Sequence, residues 1–386
     1  EFLAEPGVEK MGFKVESFPP GKVLIKEASP GTWAAQQGIL KGAELAAVNG
    51  QPVANMTKDE FVEAMAKRPL RMHVLIDPRL LTQELAMTTS AAWVLSVIAP
   101  WVGGPSFNQI HMATAIYRLG VHSEDFTQEM AQSLVLAQLI ERTIAELDAC
   151  TMEARPSANI FWAMGKLHAF AAPFAGLLPS LMRCVQQQAP EMIPQEVSNV
   201  FWAAGTLRLD GIDAQSMLST LFSVAQQKAP SMMPQAIANI VWAAGLLRCD
   251  GDGASGAVAT LCKEASLKLE RFKPQELANM CSGLALLGVQ NDRLMTGVTD
   301  RVVQEAGAWS GRDFGFALPA VIWAHAKLGS KGKALLAILP KALSSLPSSL
   351  DTLPNWGLCA LVWSYVKLDT DREFGDLRRV LVAKVS

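Results

Sequence analysis

Over the first eighty residues, apolar and polar positions follow short runs, and beyond that they follow a longer, helical period. Phe13-Lys-Val15, Val23-Leu-Ile25 and Met72-His-Val-Leu-Ile76 alternate or run apolar, which predicts short strands. The turn clusters Phe18-Pro-Pro-Gly21, Ser29-Pro-Gly31 and Asn49-Gly50 separate them. Between them, Thr57–Lys67 places Phe61, Val62, Met65 and Ala66 at helical spacing, with Thr57 as N-cap and Glu60 three residues on. The pattern predicts a compact β-rich module with one or two helices over residues 1–80.

From residue 83 one segment recurs every forty residues: Asn159-Ile-Phe-Trp-Ala-Met-Gly-Lys-Leu167, Asn199-Val-Phe-Trp-Ala-Ala-Gly-Thr-Leu207, Asn239-Ile-Val-Trp-Ala-Ala-Gly-Leu-Leu247 and Asn279-Met-Cys-Ser-Gly-Leu-Ala-Leu-Leu287. Looser copies follow as Ala320-Val-Ile-Trp-Ala-His-Ala-Lys-Leu328 and Ala360-Leu-Val-Trp-Ser-Tyr-Val-Lys-Leu368, and a degenerate one precedes as His111-Met-Ala-Thr-Ala-Ile-Tyr-Arg-Leu119. Three copies follow Pro-Gln (Pro194, Pro234, Pro274), and proline is tolerated in a first helical turn because its missing amide would have no partner there. Each segment is thus a helix B. The proline-poor runs Leu177 to Gln188, Met217 to Lys228 and Ala257 to Leu269 supply a helix A before it. The expected fold is multi-domain: the small β-rich domain, then an all-α solenoid over 83–386 of about seven helix pairs of roughly forty residues.

Within helix B, Trp162, Trp202, Trp242, Trp323 and Trp363 share one apolar-flanked position, with Gly165, Gly205, Gly245, Ala285 and Ala326 marking the small-residue position. The expectation is that the indoles fill the core while the small residues let helices approach. Asn159, Asn199, Asn239 and Asn279 are expected to bond between repeats.

Composition narrows the function. Half the residues are hydrophobic, 18% are charged and the net charge is −2, which argues against a globally basic nucleic-acid binder. The array from Thr151 onward is +3 and the first 150 residues are −5. Lys166, Arg208, Arg248, Lys327 and Lys367 flank the last leucine of helix B, where cations complement the helix dipole. They are also the candidate RNA contacts. No GxSxG, P-loop or HExxH is present and the five histidines stand singly, so no catalytic residue, metal ligand or cofactor is assigned and the chain is not expected to be an enzyme. Asp250-Gly-Asp-Gly253 reads as an acidic turn between repeats, and six widely spaced cysteines suggest no disulfide framework. The uncharged stretch 86–102 carries Thr, Ser and Pro100 and reads as a buried first helix of the array in preference to a membrane span.

Two resemblances add to this reading. Met11-Gly-Phe13, Ser29-Pro-Gly-Thr-Trp-Ala-Ala35 with Gly38, and Glu44-Leu-Ala-Ala-Val-Asn-Gly50 resemble, in order, the carboxylate loop, first helix region and following strand and turn of a PDZ domain. This resemblance covers about Val8 to Asp77. It implies capture of an extended C-terminal peptide by Met11, Gly12, Phe13 and Val15 on one side and by Lys58 and Val62 on the other. Many relatives that select Ser or Thr ligands have histidine at the position of Lys58, so an acidic ligand side chain is expected here. Pro274-Gln-Glu-Leu-Ala-Asn-Met-Cys-Ser-Gly-Leu-Ala-Leu-Leu-Gly288 and its cousins resemble the helix-B consensus of octotricopeptide repeats, from Gln83 to Lys384. That resemblance implies an organellar α-solenoid whose repeats read RNA bases.

The function expected is therefore a non-catalytic scaffold: a peripheral subunit or assembly factor of an organellar complex that grips protein partners, with a C-terminal peptide among them. The alternative is an organellar factor that binds single-stranded RNA. Membrane contact is expected only through a larger complex. The chain starts at Glu1 without methionine, which reads as a processed form, and a chloroplast is favoured over a mitochondrion.

Overall fold

Thr57 Oγ1 accepts from the Glu60 amide while Glu60 Oε2 accepts from the Thr57 amide at 2.8 Å, so the expected capping box forms and starts helix α2 (Lys58–Ala66). The computed structural model describes residues 1–29, 31–330, 334–338 and 354–368. Around α2 lie six strands: β1 (Phe2–Ala4), β2 (Phe13–Val15), β3 (Ile25–Ala28), β4 (Glu44–Val48), β5 (Gln51–Pro52) and β6 (Leu70–Leu75), with the short α1 (Trp33–Gln36) between β3 and β4. An antiparallel sheet has the order β1-β6-β4-β5, and β2 pairs with β3 in a second, two-stranded sheet. The two are linked by a Leu24–Glu44 bridge. β6 alternates buried Leu70, Met72 and Val74 with exposed Arg71, His73 and Leu75, the two-residue period of a strand with one face in a core. Ile25, Leu45, Val48, Phe61, Leu70 and Met72 form that core. β3 starts two residues later than the apolar run Val23-Leu-Ile25, because the Val23 carbonyl accepts from Leu45 and the chain is already committed to β4 there.

Asp77 caps the next helix and Pro78 opens it, so strand gives way to helix where the pattern changes. Contacts divide the chain into two compact units, Glu1–Leu181 and Met182–Ser386. The first therefore holds the β-rich module together with α3 (Pro78–Met87), α4 (Ala91–Ile98), α5 (Gln109–Val121), α6 (Gln128–Ala131), α7 (Leu134–Asp148), α8 (Ala154–Lys166), α9 (Ala171–Phe174) and the start of α10 (Leu178–Gln188). Trp101 packs on Gly38, and Leu80 packs on Gly42. The stretch 86–102 yields only the eight-residue α4, capped by Ser90, and among the described residues no helix is long and apolar enough to cross a membrane.

The second unit holds α11 (Pro194–Leu207), α12 (Gly211–Lys228), α13 (Pro234–Leu246), α14 (Asp252–Leu267), α15 (Pro274–Leu287), α16 (Asp292–Glu305), α17 (Gly311–Leu328) and α18 (Asn355–Leu368). Pro194, Pro234 and Pro274 open α11, α13 and α15 as expected. The B helices α11, α13, α15, α17 and α18 pack each on the next, and the A helices α12, α14 and α16 form a second layer. This is the stacking of a helical repeat, each pair covering the apolar face of its neighbour. Residues 369–386, the expected end of the array, lie outside the described residues.

The B helices approach backbone to backbone. A Cβ on Gly245 would sit 2.7 Å from the Gly283 carbonyl oxygen, and one on Gly283 would sit 2.3 Å from that of Val241. Such proximity leaves no layer between the helices for an indole. Trp162, Trp202, Trp242 and Trp323 are accordingly half-buried and Trp363 is 39% exposed, where full burial was expected. The buried position is the one just before, held by Phe161, Phe201, Val241 and Cys281, all at 0% exposure, and the Phe201 ring meets Phe222 of α12 with centroids 4.7 Å apart.

The degenerate first copy also has a different register. Gly120 lies against Ala163 as Gly205 lies against Ala243, and Tyr117 meets Trp162 with ring centroids 5.1 Å apart and planes tilted by 35°. Thr114, not His111, therefore occupies the place of Asn159, and Tyr117 occupies the place of the tryptophan. The first copy thus begins at Thr114, three residues after His111.

Candidate functional site

Segment 8–18 of the β-rich module runs alongside α2 in the opposite direction. At one end, Arg68 Nε, just past α2, donates to the Val8 carbonyl at 2.9 Å. At the other, the Lys58 ammonium, which opens α2, lies 4.9 Å from the centre of the Phe18 ring. Between them, β2 pairs with β3 along one edge and with no described strand along the other. Met11, Phe13 and Val15 are partly buried against the core, and Val62 on α2 is 50% exposed. A free strand edge beside an exposed apolar helix residue is the geometry that receives an added strand.

The loop at the head of β2 is built to present amides. The carbonyl of Met11 accepts from Ala34 at 2.9 Å and that of Gly12 from Ser29 at 2.8 Å, so both oxygens face into the module. The amides of Met11 and Gly12 have no acceptor among the described residues. Gly12 has φ +80, and a Cβ there would lie 2.1 Å from Thr32 Cβ, so both conformation and space demand glycine. Two free N–H groups on a rigid turn suit a carboxylate. Met11, Gly12, Phe13 and Val15 thus lie on the segment that runs antiparallel to α2, the helix that carries Lys58 and Val62. The contact of Lys58 with Phe18 was not anticipated from the sequence.

The repeat array carries a second surface. Gln195, Asn199 and Trp202 follow helical spacing on one exposed to half-exposed face of α11, and Gln235, Asn239 and Trp242 do so on α13. Asn159, Asn199, Asn239 and Asn279 make no side-chain hydrogen bond among the described residues, where bonding between repeats was expected. Cations perform that task. Lys228 Nζ donates to the carbonyls of Pro190 and Met192 at 3.0 and 2.7 Å, and Lys268 Nζ donates to those of Ala229, Pro230 and Met232 at 3.3, 2.7 and 3.1 Å. Arg301 likewise reaches the Leu269 carbonyl. In the first unit, Arg142 gathers the carbonyls of Val102, Gly104 and Phe107. The forty-residue spacing of Lys228 and Lys268 was the available sequence signal.

Lys166, Arg208, Arg248, Lys327 and Lys367 are all exposed at the ends of B helices. Lys166, Arg208, Arg248 and Lys327 pair with no acid among the described residues, and Lys367 lies 5.9 Å from the Trp363 ring centre. Arg208 and Arg248 hold a left-handed conformation, each with φ 52. The following amides, Leu209 and Cys249, bond back to Ala204 and Ala244 at 3.1 and 3.0 Å, which closes the helix ends in Schellman fashion.

Burial, not activation, governs the titratable groups of the array. Burial pushes the Cys281 thiol up to about 12 and Cys262 up to about 11, so both stay protonated at neutral pH. His325, also buried, bonds Thr299 Oγ1 at 3.2 Å and Ser330 Oγ at 2.7 Å, and desolvation lowers its pKa to about 4. Among the described residues, no group of three or more His, Cys, Asp or Glu side chains is placed to hold a metal ion.

No curated protein matches the chain. The family model of the PDZ domain matches residues 2–76, the span that holds the free edge of β2, the amide-presenting loop and α2. The N-terminal module is a PDZ domain.

Proposed function

We propose that this protein is a non-catalytic interaction scaffold, a peripheral subunit or assembly factor of an organellar complex, whose PDZ groove takes the C-terminus of a protein partner. The observation that carries the reading is the pair of amides, Met11 and Gly12, with no acceptor among the described residues, at the head of the open edge of β2. Lys58 stands at the other end of the groove and favours an acidic ligand side chain upstream of the terminal carboxylate. Screening C-terminal peptides against the full chain tests this. Binding should require a free carboxylate, should be lost in Gly12→Val, and should shift its preference in Lys58→His. If no C-terminal peptide binds the wild-type chain, the reading fails.

The compartment and repeat class belong to the same proposal. The array is read as octotricopeptide-like on the line Pro274–Gly288, and this favours a chloroplast ahead of a mitochondrion. Membrane contact, in this reading, comes only through the larger complex.

A second reading is favoured by one observation: half-exposed Trp162, Trp202 and Trp242, each three residues after an asparagine with no side-chain hydrogen bond among the described residues, on helices that end in Lys166, Arg208 and Arg248. Such a face suits single-stranded RNA, with bases stacked on indoles. Salt separates the two readings. RNA affinity should fall with a log–log slope of about −0.7 per phosphate contacted, whereas a mainly apolar protein interface should change little.

A further inference from the structure

The tryptophan position of the B helices has one exception within the second unit. Trp242 precedes it by one repeat and Trp323 follows it by one, but α15 carries Ser282 there. Beside this gap lies a groove of about 520 Å³, lined by Trp242, Ser282, Trp323, Phe316, Trp356 and Trp363 with Asn279 among its polar groups. The volume falls within the range of ligand-binding pockets. Phe316 and Trp356 meet edge to face at 5.5 Å, and with Trp363 they stay 38 to 44% exposed, so the aromatic walls remain open to solvent.

We propose that this groove is an acceptor for one neutral aromatic side chain, tryptophan foremost, presented by a protein partner. The repeat itself supplies the template: an indole occupies this position in α11, α13, α17 and α18, and Ser282 omits it. An aromatic ring entering the groove finds rings on several sides for offset and edge-to-face contact. The Asn279 amide and Ser282 hydroxyl bond no other described group and are the available partners for an indole N–H. Among the described residues no charged side chain lines the groove itself, and Lys367 lies 5.9 Å from the centre of the Trp363 ring. The described lining, aromatic and uncharged, suits a neutral occupant. The choice of a protein partner rests on the scaffold reading given above; the aromatic chemistry of the groove stands without it.

The test titrates the full chain with N-acetyl-tryptophanamide, followed by calorimetry and saturation-transfer NMR, with uridine monophosphate in parallel. The tryptophan analogue should bind and the nucleotide should not. Ser282→Trp restores the missing indole and should weaken binding at least about tenfold, the discrimination expected when a filled pocket excludes a ring. Far-UV circular dichroism should be unchanged. Ser282→Leu, a smaller filler, should act in the same direction should the tryptophan variant fail to fold. The proposal is overturned by absence of binding, by binding that both fillers leave intact, or by the nucleotide binding more tightly than the amide. C-terminal peptide binding to the PDZ groove is measured on the same Ser282 variants. It should be unaffected, so loss of one activity is distinguishable from failure of the scaffold reading.

Discussion

Gly245→Ala and Gly256→Ala are the same substitution in two helices of one unit, and they should have opposite effects. At Gly245 the new methyl would lie 2.7 Å from the Gly283 carbonyl oxygen and 2.8 Å from its Cα. Backbone stands on both sides of that contact, so α13 and α15 must separate. Overpacking of this kind costs about 1–3 kcal/mol, and rigid backbone places the cost in the upper half of that range. The gain in helix propensity is less than about 1 kcal/mol, because Gly245 is next to the last residue of α13. The net effect should be a loss of about 1–2 kcal/mol. At Gly256 the nearest atoms are the side-chain amide of Gln226, 3.8 Å away, so the propensity gain of about 1 kcal/mol should appear nearly whole. The two variants should then differ by about 2–3 kcal/mol, which for a unit of this size is roughly 4–12 °C in Tm. Thermal and urea unfolding of the full chain, followed at 222 nm, measures it. A Gly245→Ala chain as stable as Gly256→Ala would refute the close approach of the B helices.

Lys268→Met should destabilise the array by about 2–3 kcal/mol in urea unfolding, because it leaves three carbonyls without their charged donor. Arg208→Gly should stabilise by about 0.5–1 kcal/mol in the same assay, by removing a side chain from the left-handed conformation that Gly288 occupies in a later repeat. His325 stays neutral in the folded chain down to about pH 4 but takes a proton below about 6.5 once unfolded. Unfolding therefore gains protons as pH falls, and stability should drop by about 3 kcal/mol between pH 6.5 and 4, a decline that His325→Gln should flatten. Cut between Pro78 and Gln83, the C-terminal piece should be helical with no sheet by circular dichroism; substantial sheet there would refute the boundary between residues 80 and 83.

Features fixed by local chemistry were legible from sequence. Thr57 with Glu60, and Pro194, Pro234 and Pro274, mark helix starts because each acts on the free amides of its own first turn. The PDZ domain was legible for a related reason: Gly12 and the Asn49-Gly50 turn hold backbone conformations that few residues adopt, with φ of 80, 48 and 80, respectively. Which side chain reaches across the module was not legible. Phe18 lies forty residues from Lys58, and only the folded path of β2 brings the ring beneath the ammonium.

The tryptophans show where periodicity stops being informative. A forty-residue repeat establishes that equivalent residues share an environment, but not which environment. Trp202 and Ala203 are neighbours with identical periodicity, and hydrophobicity alone would bury the larger. Steric closeness decides otherwise: Gly205 meets Ala243, and Gly245 meets Gly283, at distances that admit only small residues between the B helices. The largest side chain must then turn to the open face, and the Asn three residues earlier turns with it. Small residues at these contacts thus exclude the indoles from the core and assemble an aromatic face that no single repeat encodes. Ser282 gains its meaning in the same way. In isolation it is an ordinary helical serine, but between Trp242 and Trp323 it is a missing ring, and the groove beside it follows from that omission.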